Sequence, residues 1–170
     1  MESKTRIQIS KDLKNKKVTI TRDFDAPLEL VWKAWTESKL LDQWWAPKPW
    51  VTKTKSLTFK DGGVWLYAMT GPDGTAIWNI VEFTAVSQQQ GFQATSSFCD
   101  ENGNRNPDFP TMHWKNVFST LGTETRVEVE ISFTKEADME KIIAMGFEAG
   151  FTSALGNLDE LLAGLSVKIV

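Results

Sequence analysis

Between Val51 and Phe133 the chain divides into short runs of alternating apolar and polar residues separated by turn signals, and this pattern constrains the middle of the molecule to an antiparallel meander. Six strands fit, near Thr52 to Phe59, Gly63 to Thr70, Ala76 to Val86, Gly91 to Phe98, Thr111 to Leu121 and Thr123 to Phe133. Asp61-Gly62-Gly63, Gly71-Pro72-Asp73-Gly74 and Leu121-Gly122 supply the turns. In the last run Val127, Val129, Ile131 and Phe133 fall on one face, while Arg126, Glu128, Glu130 and Ser132 fall on the other. One face is therefore wet and the other needs a cover. A helix from about Asp138 to Leu165 provides it, with Phe147, Phe151, Leu155, Leu158 and Leu162 on one stripe. Gly146, Gly150 and Gly156 each cost that helix about 1 kcal/mol against Ala. Their number points to close backbone packing, a bend, or room for something beside the helix, with packing the first expectation.

Ahead of the meander, Lys17 to Phe24 alternates with period two and reads as a further strand. It stops at Asp25-Ala26-Pro27, where Asp25 suits a helix cap and Pro27 the first turn. Leu28, Val31, Trp32 and Trp35 then recur at helical spacing, which predicts a helix from about 27 to 37. Ser38 is placed to cap a second short helix through Leu40, Leu41 and Trp44, which Pro47 and Pro49 forbid to continue. Residues 1 to 16 read as a loosely ordered, solvated tail or an extra strand, with a Lys-rich run from Lys11 to Lys17. Five of the eight tryptophans lie between Trp32 and Trp50. Rings of this size, each with one N–H that needs a partner when buried, build either a core layer or the wall of an apolar pocket.

The 170 residues, 41% hydrophobic and 24% charged, predict one globular domain able to bury about 70% of its unfolded surface, with room for a cavity. A net charge of -3 and a pI near 5.3 argue against nucleic acid as a partner. Cys99 is the only cysteine, so no intramolecular disulfide forms. With no secretory signal and no apolar run of about 18 residues, the expectation is a cytoplasmic chain without stable membrane insertion.

The single His113 and single Cys99 offer no His/Cys cluster for a metal, and no cofactor is expected. Met112, Trp114 and Phe118 share one strand face, so His113 points to the other. Cys99 precedes Asp100, a carboxylate that raises a thiol pKa, and reads as inert. No nucleophile elbow, phosphate-binding loop or dinucleotide fingerprint is present in the sequence, so no catalytic residue is assigned.

The order of strand, two short helices, six antiparallel strands and a long C-terminal helix resembles the helix-grip fold of the START-like (SRPBCC) superfamily. The residues Phe24-Asp25-Ala26-Pro27, Val31-Trp32-Lys33-Ala34-Trp35, Trp44-Trp45-Ala46-Pro47, Asp61-Gly62-Gly63, Gly71-Pro72-Asp73-Gly74, Gly150-Phe151 and Leu158-Asp159-Glu160-Leu161-Leu162 are similar to bacterial proteins related to the C-terminal domain of the activator of Hsp90 ATPase. The likeness spans about residues 17 to 164. Ala46 stands where many relatives have Gly, and Phe151 where many have Trp; both changes keep small or aromatic character. The resemblance implies an α+β fold in which a curved antiparallel sheet of about seven strands wraps around the long helix. It also implies a deep cavity between them that opens near the short helices and the loops joining strands. Relatives with this fold bind lipids, sterols, polyketides or plant hormones, and some cyclise polyketides.

The candidate lining is aromatic and sulfur-rich, which suits recognition of an apolar molecule more than bond-breaking. It comprises Tyr67, Met69, Trp78, Phe98, Phe118, Phe147, Phe151 and Leu155, with Trp44, Trp45 and Trp50 near the mouth. Tyr67 and Glu148 are the candidates for orienting polar contacts. The leading expectation is a non-enzymatic domain that binds a small hydrophobic or amphipathic molecule such as a lipid or a polyketide. One alternative is a cyclase or hydratase in which Tyr67, His113 or Glu148 moves protons. The other is a protein-interaction module, a chaperone partner by family likeness, that uses the Trp44-Trp45-Trp50 region.

Overall fold

The computed structural model describes residues 7–169, and side chains as far as residue 165. The expectation of a tail therefore lies, for residues 1–6, outside the described residues. Ile7–Asp12 forms a strand, β1, antiparallel to β2 (Lys17–Phe24), with Ile7 opposite Arg22 and Asp12 opposite Lys17. Two helices follow, α1 (Leu28–Thr36) and α2 (Ser38–Trp44). Then come β3 (Val51–Leu57), β4 (Val64–Thr70), β5 (Ala76–Ser87), β6 (Gly91–Cys99), β7 (Met112–Leu121) and β8 (Glu124–Ser132). The chain closes with α3 (Glu136–Ala144) and α4 (Phe147–Ile169).

The strands form one antiparallel sheet in the order β1-β2-β8-β7-β6-β5-β4-β3. The architecture is the α+β helix-grip arrangement, with eight strands rather than about seven because the Ile7, Ile9 alternation extends the β2 edge. Val127, Val129, Ile131 and Phe133 turn inward, as their alternation requires, and meet the buried Phe151, Leu155, Leu158 and Leu162 of α4 in one core. The inner face of β2 carries Val18, Ile20, Arg22 and Phe24, so a charge lies among apolar neighbours. Asp159 of α4 answers it with a salt bridge to the Arg22 guanidinium, which also sits over the Phe24 ring at 4.9 Å.

Three local expectations are corrected. The helix predicted from 138 to 165 is two helices, broken at Met145 and Gly146, where Gly146 takes φ +90°. A residue without Cβ adopts that left-handed backbone at little cost, so the first of the three glycines is a bend rather than a packing contact. Asp25 makes no cap bond; Pro27 occupies the α1 cap position without a side-chain bond. Likewise Glu37, not Ser38, occupies the α2 cap position.

α2 is fixed from both sides. Asp42 Oδ1 accepts from the Thr54 hydroxyl at 2.6 Å and from the Thr54 backbone N–H at 3.1 Å, which ties α2 to β3. Asn157 of α4 donates through Nδ2 to the Ala46 carbonyl at 2.9 Å just past the α2 end. These bonds hold the paired tryptophans, Trp44 and Trp45, between the sheet and the long helix.

Candidate functional site

A cavity of about 300 Å³ lies between the inner face of β4 to β7 and a cover made of α1, α2, α3 and the start of α4. The period of two along each strand selects its wall: Trp65, Tyr67 and Met69 from β4; Ile77, Asn79, Val81 and Phe83 from β5; Phe92, Ala94, Ser96 and Phe98 from β6; Met112, Trp114 and Asn116 from β7. Trp35, Leu41, Trp45 and Pro47 close it from the helical side, and Met145 to Phe147 with Gly150 and Phe151 form the roof. Ile77 and Met145, 41% and 50% exposed, mark the mouth. The loops at that end of β4 to β7 and the α3–α4 junction surround it.

Trp45 is the hub of the wall, with ring centroids of Trp35, Trp44, Trp65, Trp114 and Phe151 all within 6.1 Å, four of the five edge-on. Its indole N–H donates to the Tyr67 hydroxyl at 2.9 Å. Tyr67 in turn stacks on Trp65 with centroids 4.0 Å apart. Burial raises the Tyr67 pKa well above that of an ordinary phenol, and the hydrogen bond from Trp45 opposes this only in part. Trp65 donates to the Thr54 hydroxyl at 3.0 Å and Trp114 to the Ser96 hydroxyl at 2.9 Å. Two buried polar atoms of the lining are left over: Trp35 Nε1 and Asn116 Oδ1 have no hydrogen-bond partner. No described residue that lines the cavity is Asp, Glu, Lys, Arg or His.

Of the sequence candidates, Trp45, Tyr67, Met69, Phe98, Phe147 and Phe151 line the cavity. The other six do not, each for a stated reason. Trp44 is buried in the core and bonded to the Ala34 carbonyl at 2.8 Å. Phe118, two residues along β7 from Asn116, packs against Trp32 and Trp35, and Leu155 lies one helical turn past Phe151 in the core. Trp50 covers Gly71 instead. Trp78 is opposite Ala68 in register, and so shares the outer face of the sheet, where Lys55 Nζ sits 5.9 Å from its ring. Glu148 turns away to pair with Lys11 of β1 at 2.6 Å.

Trp35, Ser96 and Asn116 were missed. A readable signal existed for Asn116, since Met112, Trp114 and Phe118 set the inward parity of β7 and Asn116 shares it. His113 faces out, its Nδ1 3.3 Å from the Thr95 hydroxyl. Partial burial and then Asp100 push the Cys99 thiol up to about 11. Among the described residues no group of three or more His, Cys, Asp or Glu could hold a metal. No helix among them is long and apolar enough to cross a membrane.

The backbone is similar to solved bacterial structures. One from Arthrobacter aurescens is 29% identical with a TM-score of 0.87, covering 92% of this chain and 91% of that one. A protein of Mycobacterium smegmatis is 28% identical with a TM-score of 0.84, covering 91% and 95%. A third, from Staphylococcus epidermidis, is 27% identical with a TM-score of 0.81, covering 92% and 94%. No curated protein matches the sequence. The family model described as Activator of Hsp90 ATPase homolog 1-like protein matches residues 25–163, which takes in both short helices, the sheet from β3 to β8 and most of α4, and the chain belongs to that family.

Proposed function

We propose that the chain binds a small hydrophobic or amphipathic molecule in the cavity beneath α3 and α4. The observation that carries this reading is an open space of about 300 Å³ left between close-packed aromatic rings. Protein interiors are normally filled to crystal-like density, and an unfilled volume of this size forfeits dispersion contacts along its whole lining. The volume sits at the lower end of the range of about 300–1,000 Å³ typical of ligand pockets, so the occupant is small. The methionines Met69, Met112 and Met145 add adaptable, polarizable surface to the lining.

Native mass spectrometry of the purified chain, followed by organic extraction, tests the reading. The expected result is a bound species of defined mass that is released on denaturation and displaced by N-phenyl-1-naphthylamine, an uncharged aromatic probe. A chain that carries nothing and fails to take up the probe refutes it.

A further inference from the structure

The depth of the cavity is limited by a cluster of rings, and that depth bears on the occupant. On β5 the lining passes from the exposed Ile77 at the mouth to the buried Phe83, about 20 Å further along at about 3.3 Å per residue. On β6, which runs the other way, Phe98 lies opposite Asn79 and Ala94 opposite Phe83, with Phe92 two residues further from the mouth. Phe83 and Phe92 are therefore the innermost lining residues of these two strands, and their ring centroids stand 5.8 Å apart. Phe59 packs on both of them, 4.9 Å from Phe83 and 5.3 Å from Phe92. Trp32 and Phe118 each lie 6.1 Å from Phe92 and 4.9 Å from one another. Trp32, Phe59 and Phe118 are not part of the lining. Phe92 thus borders the open space and also touches four rings that brace one another, which makes it the floor of the cavity.

An open volume of about 300 Å³ corresponds to about ten water molecules at about 30 Å³ each. An alkyl chain of about ten carbons fills such a space, as does a flat aromatic molecule of two or three rings, whereas a long acyl chain or a sterol exceeds it. No described lining residue is acidic, basic or a histidine, so the part of the occupant held inside is uncharged. We propose that the Phe92 ring fixes the length of the occupant, and that the occupant inserts a compact, uncharged apolar group rather than a long acyl chain or a sterol. This deepens the reading of the cavity as a ligand site and rests on it.

The test is titration of tryptophan emission with an even-numbered series of straight-chain alcohols from 1-hexanol to 1-tetradecanol. Each added methylene is expected to tighten binding about fourfold as far as 1-decanol, and longer chains to gain nothing because the excess stays in water at the mouth. Phe92→Ala is expected to carry the gain on to 1-tetradecanol. Ala94→Ile, which adds bulk one inward-facing position nearer the mouth, is expected to end it by 1-octanol, and it decides the matter alone should Phe92→Ala fail to fold. A merely structural Phe92 would lower the melting temperature on substitution and leave the break in the series where it was. Affinity that climbs unbroken to 1-tetradecanol in the parent chain, or a break that stays in place in either folded variant, overturns the proposal and leaves the ligand site standing. Failure of the whole series to bind overturns both.

Discussion

Two glycines four residues apart in the roof of the cavity respond in opposite directions to the same substitution. Gly146 makes the break between α3 and α4 at φ +90°. An added Cβ there costs about 1–2 kcal/mol of left-handed strain. Gly150 has ordinary helical backbone, and a Cβ built on it meets only Pro47 Cγ, at 3.9 Å, an ordinary van der Waals contact. Gly150→Ala therefore removes the backbone-entropy cost of glycine in a helix, a gain of about 0.5–1 kcal/mol. At about 2–4 °C per kcal/mol for a chain of this size, Gly150→Ala raises Tm by about 1–4 °C and Gly146→Ala lowers it by about 2–8 °C.

The same position separates stability from occupancy. Gly150→Leu sends its side chain into the open space, and displacing roughly two methylene groups' worth of ligand burial, about 0.8 kcal/mol each, weakens binding about tenfold. Thermal melts followed by circular dichroism and titration with N-phenyl-1-naphthylamine read the two effects independently. The expected outcome for Gly150→Leu is a chain at least as stable as the parent that binds the probe about tenfold more weakly. A Gly150→Ala chain that melts earlier, or a Gly150→Leu chain that binds the probe as tightly as the parent, refutes the placement of Gly150 over an unfilled cavity.

Tyr67 is the only tyrosine, so its titration is observed without overlap. Burial raises its folded-state pKa above the usual 10.0, so its stabilising contribution is complete below pH 10 and declines as pH rises towards the folded value. The ultraviolet tyrosinate band is expected to stay absent at pH 10 in the folded chain and to titrate near 10 in urea; a folded chain that ionises near 10 contradicts the burial of the Tyr67 hydroxyl. Asn157→Ala removes the donor to the buried Ala46 carbonyl and should cost about 1–3 kcal/mol in urea unfolding. An unchanged urea midpoint would show that α2 does not depend on this bond. Cys99, with its thiol pushed up to about 11, should react slowly with iodoacetamide at pH 7 and speed up steadily towards pH 11. A rate already at its plateau near pH 8 would contradict that environment.

Patterns of period two made the sheet legible. β2 runs over the residues its alternation marked, Lys17–Phe24, and β3 to β8 fall within two residues of their expected ends. The break at Gly146 was not legible, because glycine in a helical pattern is compatible with either continuation or a left-handed turn and only tertiary packing chooses. β1 was obscure for a related reason: Ile7 and Ile9 are two apolar residues beside a Lys-rich run, and pairing with β2 is what gives them a partner. In the site, residue type led where parity should have. Trp78 is aromatic but sits one residue out of phase with Ile77 and Asn79, on the opposite face, whereas Asn116 is polar but in phase with Trp114. Glu148 was misplaced because its partner, Lys11, lies on β1, in residues that read as either a tail or an extra strand and offered no partner for it.

The wheel of rings around Trp45 has an optical consequence. Four other indoles lie within 6.1 Å of its centroid, separations at which an excited tryptophan passes its energy to a neighbour before it emits. Emission from this group is therefore a collective property, and quenching at one ring drains the others. A molecule that entered the cavity would meet Trp35, Trp45, Trp65 or Trp114, and a change at one of these rings would register across the whole array.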